Sequence, residues 1–138
     1  MWSFCSPLSS QELQQFETAF SFTIKAPLRD FLLSHNAGKT RHCTLTTNVK
    51  ERRMAALLDF SRGGNAWETN RRLRRKLGDK IIVIGVDRSD NFLCVRRNLR
   101  KQEFVIWNHI TDTLEECTTE IPVVLLLWRQ ERSPNGPF

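Results

Sequence analysis

Histidine, cysteine, aspartate and arginine are the side chains through which this 138-residue chain could do chemistry, and their spacing narrows which kinds. His35, His42 and His109 fall in separate segments, and none belongs to an H-x-x-x-H pair of the sort that holds zinc from one helix face. Cys5, Cys43, Cys94 and Cys117 are scattered and never approach C-x-x-C spacing, so they read as reduced core thiols of a cytoplasmic protein. No serine sits in a G-x-S-x-G elbow, and Gly63-Gly64 lacks the further glycines and lysine of a phosphate loop. No catalytic residue, metal ligand or cofactor site is expected, and the chain reads as a non-enzyme. Asp87 and Asp90, three apart, form a carboxylate pair able to hold a hard cation. Asp and Asn are also what β-turns use, and the turn reading is preferred. His109 beside Trp107 has the type of a general base, but two positions on one strand face is the plainer account.

The arginines carry a stronger signal. Lys and Arg number 21 against 15 Asp and Glu, a net charge of +6. They cluster at Arg52-Arg53, along residues 71–76, and at Arg96-Arg97 with Arg100-Lys101. Basic runs of this kind can neutralise phosphates with a steep salt dependence. No recognised nucleic-acid motif accompanies them, so a nucleic-acid-binding module using the basic helix 66–77 is the second reading.

These residues need a scaffold, and composition bounds it. At 40% hydrophobic and 26% charged residues, the chain is globular. Its longest apolar run, residues 123–128, is far below the ~20 residues of a membrane span. The N-terminus has no Lys or Arg before residue 25 and no apolar signal region, so no targeting segment is expected.

Ser9 and Glu12 form a capping box, Leu8 and Leu13 a hydrophobic staple, and Leu13, Phe16 and Phe20 one apolar stripe of a first helix. Pro27 suits the first position of a second helix burying Leu28, Phe31 and Leu32, which stops near Asn36-Ala37-Gly38. Residues 41–47 read as a short strand near a sheet edge, with Cys43 and Leu45 on one side. Residues 48–62 are ambiguous between a helix capped by Asn48 and Glu51 and a strand alternating through Met54, Ala56, Leu58 and Phe60. Asn65 and Glu68 suggest a capping box for a helix with Ala66, Leu73 and Leu77 on one face, closed by Gly78.

From residue 80 the period changes to two. Strands over residues 80–86, 92–96 and 103–107, joined by polar turns at 87–91 and 98–101, predict an antiparallel meander. Thr118 or Thr119 would cap a last helix with Pro122 in its first turn and Val123, Leu126 and Leu127 buried. Residues 1–132 are expected to form one α+β domain and residues 133–138 a flexible tail.

In order and spacing, several segments resemble the SUKH superfamily, the group related to fungal cell-wall-synthesis regulators and abundant among bacterial immunity proteins. The residues concerned are Ala26 to Leu33 followed by Asn36-Ala37-Gly38, then Leu57-Leu58-Asp59-Phe60 and Asn65-Ala66-Trp67. Residues 81–86 leading to Asp87-Arg88-Ser89-Asp90-Asn91, and residues 104–109 ending Trp107-Asn108-His109, complete the series. Asp90 stands where the family turn has glycine, Asn108 where it has aspartate, and the apolar strand lacks the family's proline.

The resemblance implies a mainly antiparallel (mixed) sheet packed by helices, and favours strand for residues 54–60. It also implies a non-enzymatic scaffold that binds and neutralises a cognate bacterial toxin by occlusion. The partner-binding candidates are Asp87, Asp90 and Asn91 in the turn, Trp107 and His109, and Arg96 and Arg97. A basic binder predicts a toxin domain with an acidic face, because opposite fields speed encounter.

Overall fold

The computed structural model describes residues 7–41, 43–98 and 101–130. Cys5, His42, Arg100, the N-terminal targeting reading and the 133–138 tail lie outside the described residues. Ten elements follow in the order α1 (Ser10–Phe20), α2 (Leu28–His35), β1 (Thr44–Thr46), β2 (Glu51–Leu57), α3 (Asn65–Leu77), β3 (Ile81–Asp87), β4 (Phe92–Asn98), β5 (Lys101–Asn108), β6 (Thr113–Glu116) and α4 (Ile121–Gln130). The fold is α+β.

The six strands are neighbours in chain order and antiparallel throughout. The sheet curls until its two ends meet. Thr47 bridges Cys117, the Asn48 N–H donates to the Glu116 carbonyl at 2.9 Å, and the Thr118 N–H donates to the Thr46 carbonyl at 2.9 Å. The expected edge strand β1 is therefore first in the order, but its end is tied to β6. Such closure leaves little free backbone for a stray strand to pair with.

Local chemistry explains the elements. In α1 the capping box forms as expected, with the Glu12 N–H donating to Ser9 Oγ at 3.0 Å and the Ser9 N–H to Glu12 Oε1 at 3.1 Å. Leu13, Phe16 and Phe20 are buried, and Phe16 meets Phe60 and Trp67 edge-on. Pro27 is the N-cap of α2 rather than its first residue. His35 is buried and stacks on Phe31 at 4.2 Å, a structural role.

The stop after α2 differs from the expectation. The Gly38 N–H donates to the His35 carbonyl at 2.7 Å, and the left-handed position is taken by Ala37 at φ 63, not by Asn36 or Gly38. This is a type II turn, whose third position favours glycine. Ala37→Gly is expected to raise stability by about 0.5 kcal/mol, the left-handed strain exceeding the added chain entropy, and Tm by about 2 °C in a thermal melt.

Residues 51–57 are strand, so the Asn48–Glu51 helix alternative is excluded. The strand is bulged between Met54 and Ala56, and both Leu57 and Leu58 are buried. The expected Asn65–Glu68 capping box is absent. The N-cap of α3 is Gly64, and Asn65 Oδ1 instead accepts the Asp59 N–H at 2.7 Å. A Cβ on Gly64 would lie 2.4 Å from the Asp59 carbonyl oxygen, so only glycine lets the loop close this tightly.

α4 starts at Ile121, with Pro122 in its first turn as expected. Thr118 does not serve as its cap, since its hydroxyl donates to the Thr46 carbonyl at 3.1 Å. Its buried face is Ile121, Val124, Leu125 and Trp128, whereas Val123 and Leu126 are 47% and 53% exposed. The expected face of Val123, Leu126 and Leu127 is about a third of a turn out of phase with the buried one, and of the three only Leu127 is half-buried against the core. The run 121–128 is almost wholly apolar, so it carries no contrast from which to read a phase.

Strand β6 was not foreseen. Its sequence, Thr113-Leu114-Glu115-Glu116, has two carboxylates where a strand would be expected to show apolar alternation. No helix of the described residues is long and apolar enough to cross a membrane.

Candidate functional site

Antiparallel pairing brings the β3–β4 turn and the β5–β6 turn to the same end of the sheet. Phe92 pairs with Trp107, and Asn108 pairs with Thr113. Asp87, Asn91, Trp107 and His109 thus come together, with Asp90 on the tip of the first turn.

Asp87 is buried and its carboxylate organises its own turn. Oδ1 accepts the Ser89 and Asn91 N–H groups, each at 2.8 Å, and Oδ2 accepts from Asn91 Nδ2 at 3.2 Å. These bonds are the ones a turn aspartate makes, and no group of three or more His, Cys, Asp or Glu placed to hold a metal occurs among the described residues. Asp90 is exposed at φ 65, taking the left-handed turn position without being glycine.

Asn91, also buried, turns its Oδ1 to His109, accepting its backbone N–H at 3.2 Å and facing Nδ1 at 3.0 Å. Because that oxygen only accepts, Nδ1 carries the proton, and Nε2 has no hydrogen-bond partner among the described residues. Trp107 is buried, stacked on Phe92 at 5.9 Å and 13°, with Nε1 donating to Asp112 Oδ1 at 3.0 Å. Lys76, 3.0 Å from Asp112 Oδ2, and the Trp107 N–H hold the Asp112 carboxyl below the usual carboxylate range.

The second turn is pinned as firmly. Asn108 Oδ1 accepts the N–H groups of Ile110 and Thr111 at 3.0 and 3.2 Å, while its Nδ2 donates to Glu115 Oε2 at 3.3 Å. Glu115 is 1% exposed and forms a two-pronged ion pair with Arg52, itself 8% exposed; Thr47 Oγ1 donates to Glu115 Oε1 at 2.9 Å. The Arg52 guanidinium lowers the Glu115 pKa, and Glu115 raises that of Arg52, with Asp87 adding a weaker pull on the same cation. A buried polar layer of Arg52, Glu115, Thr47, Asp87 and Asn91 therefore lies beneath both turns. Ile110 is the outcome: 80% exposed at the tip of a turn whose backbone is held from below. Nothing in the sequence singled it out, since an isoleucine after a strand reads as core.

Arg96 and Arg97 lie at the opposite end of the sheet, where Asn98 pairs with Lys101. Arg96 is occupied by Glu103 and Glu116, which raise its pKa, Glu116 most. Arg97 is exposed, with its guanidinium 5.4 Å from the centre of the Phe22 ring. The structure therefore separates these two arginines from the other five candidates. Cys43 and Cys94 are buried, and Cys117 is half-buried. Burial pushes Cys94 far up and Cys117 up to about 12, so neither is a ready nucleophile.

A closed antiparallel sheet flanked by helices, with aromatic and polar turns gathered at one end, defines a scaffold class of α+β domain. The chain belongs to the SMI1 / KNR4 family (SUKH-1), whose family model matches residues 7–122. That family is generally non-catalytic and points to protein-partner binding. No curated protein and no solved structure matches the chain at a significant level.

Proposed function

We propose that this chain is a non-enzymatic, immunity-type protein that binds a cognate bacterial toxin domain and neutralises it by occlusion in the cytoplasm. The observation that carries this reading is the presentation of Ile110 and His109 on a turn fixed from beneath. An exposed isoleucine contributes little to folding, whereas an apolar anchor on a pre-ordered turn loses little entropy on binding. Asp90 lies beside them on the neighbouring turn. Asp87, Asn91 and Trp107 contribute from below by holding those groups in place. The partner's face is acidic, matched to the +6 charge of the chain.

Co-expression with the product of a neighbouring gene carrying a C-terminal toxin domain is expected to restore growth and give a co-eluting complex. Persistent toxicity with no complex would overturn the reading. Ile110→Asp is expected to weaken that complex by about 2 kcal/mol, roughly thirtyfold in Kd by calorimetry, with Tm little changed because the residue is exposed.

Nucleic-acid binding through the 66–77 helix is the second reading, favoured by Arg72 and Arg75, which are exposed and make no ion pair among the described residues. Arg71 is tied to Glu68 and Lys76 to Asp112, which reduces the free charge available to phosphates. Absence of duplex binding across a salt series would remove this reading.

A further inference from the structure

The end of the sheet away from the two turns holds a cleft of about 600 Å³ between the α3–β3 turn and the last residues of β4. Its lining includes Leu77, Asp79, Lys80, Ile81, Arg96 and Arg97. We propose that this cleft is a docking site for an acidic peptide segment carrying an apolar side chain, distinct from the two-turn end and independent of the toxin-binding reading.

Three features support it. First, the cationic groups are available. Lys80 and Arg97 are exposed and make no ion pair among the described residues, whereas Arg96 is held by Glu103 and Glu116 and offers a ligand no free charge. The Arg97 N–H donates to the Lys80 carbonyl at 2.8 Å, so the two backbones are held together, and the Phe22 ring supports the Arg97 guanidinium. The carbonyl end of α3 carries a partial negative charge, but Arg74, Arg75 and Lys76 occupy that last turn and outweigh it.

Second, the lining is not wholly polar. Leu77 and Ile81 are half-buried and leave apolar surface between the cations. Third, Asp79 is exposed within the cleft and forms no ion pair among the described residues. A carboxylate there accepts a peptide N–H, a donor that a phosphodiester does not have. Two cations, one acceptor and an apolar floor thus fit a peptide chain with acidic residues flanking an apolar one, and fit a nucleic-acid backbone poorly.

The test is fluorescence anisotropy on the full chain with labelled Glu-Glu-Leu-Glu-Glu, its Gln-Gln-Leu-Gln-Gln and Glu-Glu-Gly-Glu-Glu analogues, and a DNA duplex. The acidic leucine peptide is expected to bind tightest. Lys80→Gln with Arg97→Gln should weaken it about tenfold, and Arg72→Gln on the exposed face of α3 less than about twofold. Should loss of the Phe22 contact unfold the double variant, Lys80→Gln alone, at an exposed side chain, should still weaken binding about threefold. Equal affinity for the variants and the wild-type chain, equal affinity for the glutamine or glycine analogue, or tighter binding of the duplex would each overturn the site. Ile110→Asp should leave peptide affinity unchanged, so failure here and failure of the toxin reading are separable.

Discussion

Arg52→Ala is expected to lower the unfolding free energy by about 3–5 kcal/mol, the range for removing one partner of a buried ion pair. For a chain of this size, with total stability of roughly 5–15 kcal/mol, that is a large share. The reason is the charge left behind. Glu115 is 1% exposed, and Asp87 lies close enough to interact with the same guanidinium. Removing Arg52 leaves a buried carboxylate with another nearby and no cation between them. Glu115→Ala should cost less, because Asp87 still attracts Arg52.

The pair also predicts a pH dependence. Arg52 depresses the Glu115 pKa below its ordinary 4.5. The stabilisation is therefore complete above that value and is lost as pH falls through the lower, folded-state value. Glu115→Gln should flatten the acid limb of the stability curve while the neutral-pH melt stays cooperative. Arg52→Met combined with Glu115→Gln should recover more than half of the Arg52→Ala loss, since no buried charge remains from the pair. Urea unfolding of Arg52→Met, Glu115→Gln and the two combined supplies the double-mutant cycle. An Arg52→Ala cost below about 1 kcal/mol, the level of a surface pair, would show that water reaches Glu115.

This ion pair marks the boundary of what the sequence discloses. The α1 capping box and the β3–β4–β5 meander rest on contacts a few residues apart, so their residue types and spacings are visible along the chain. Arg52 and Glu115 are 63 residues apart, and their attraction exists only after the sheet has curled. Arg52 reads as one of a basic pair and nothing along the chain marks Glu115, because a charged residue is seldom buried unless paired. Strand β6 was hidden for the same reason. α4 was visible as an element but not in its rotation, since residues 123–128 offer apolar side chains all round.

The candidate site was legible in part. Turn chemistry located Asp87 to Asn91, and the family resemblance added Trp107 and His109. The side-by-side placement of the two turns follows from strand pairing and was not spelled out by either turn alone. That pairing also sends Arg96 and Arg97 to the far end, though in sequence they stand only five and six residues beyond Asn91.

Asn70→Ala is expected to be the second costly substitution, at about 2–4 kcal/mol. β2 ends at Leu57, opposite Gly85, and the Leu58 N–H makes the next bond, to the Ile84 carbonyl at 2.8 Å. Beyond that point the outer edge of β3 has no strand beside it among the described residues, yet Val83 is buried there. The Asn70 side chain takes the place of the missing strand. Its Oδ1 accepts the Val83 N–H at 2.7 Å and its Nδ2 donates to the Val83 carbonyl at 2.9 Å, as well as to the Ala66 carbonyl at 2.9 Å. An amide presents a donor and an acceptor side by side, as a neighbouring peptide unit would. Alanine would leave both Val83 groups without partners in an apolar setting, each costing about 1–3 kcal/mol. Asn70→Asp retains the acceptor but loses the donor and buries a charge, so it should be at least as damaging. Hydrogen exchange gives the sharper reading. In Asn70→Ala the Val83 amide should lose more protection than the Val95 amide, which sits in the central strand β4. Equal protection of Val83 in both proteins would mean that water or a shifted β2 satisfies the edge, and that α3 is held to the sheet by Ala66 and Leu73 alone.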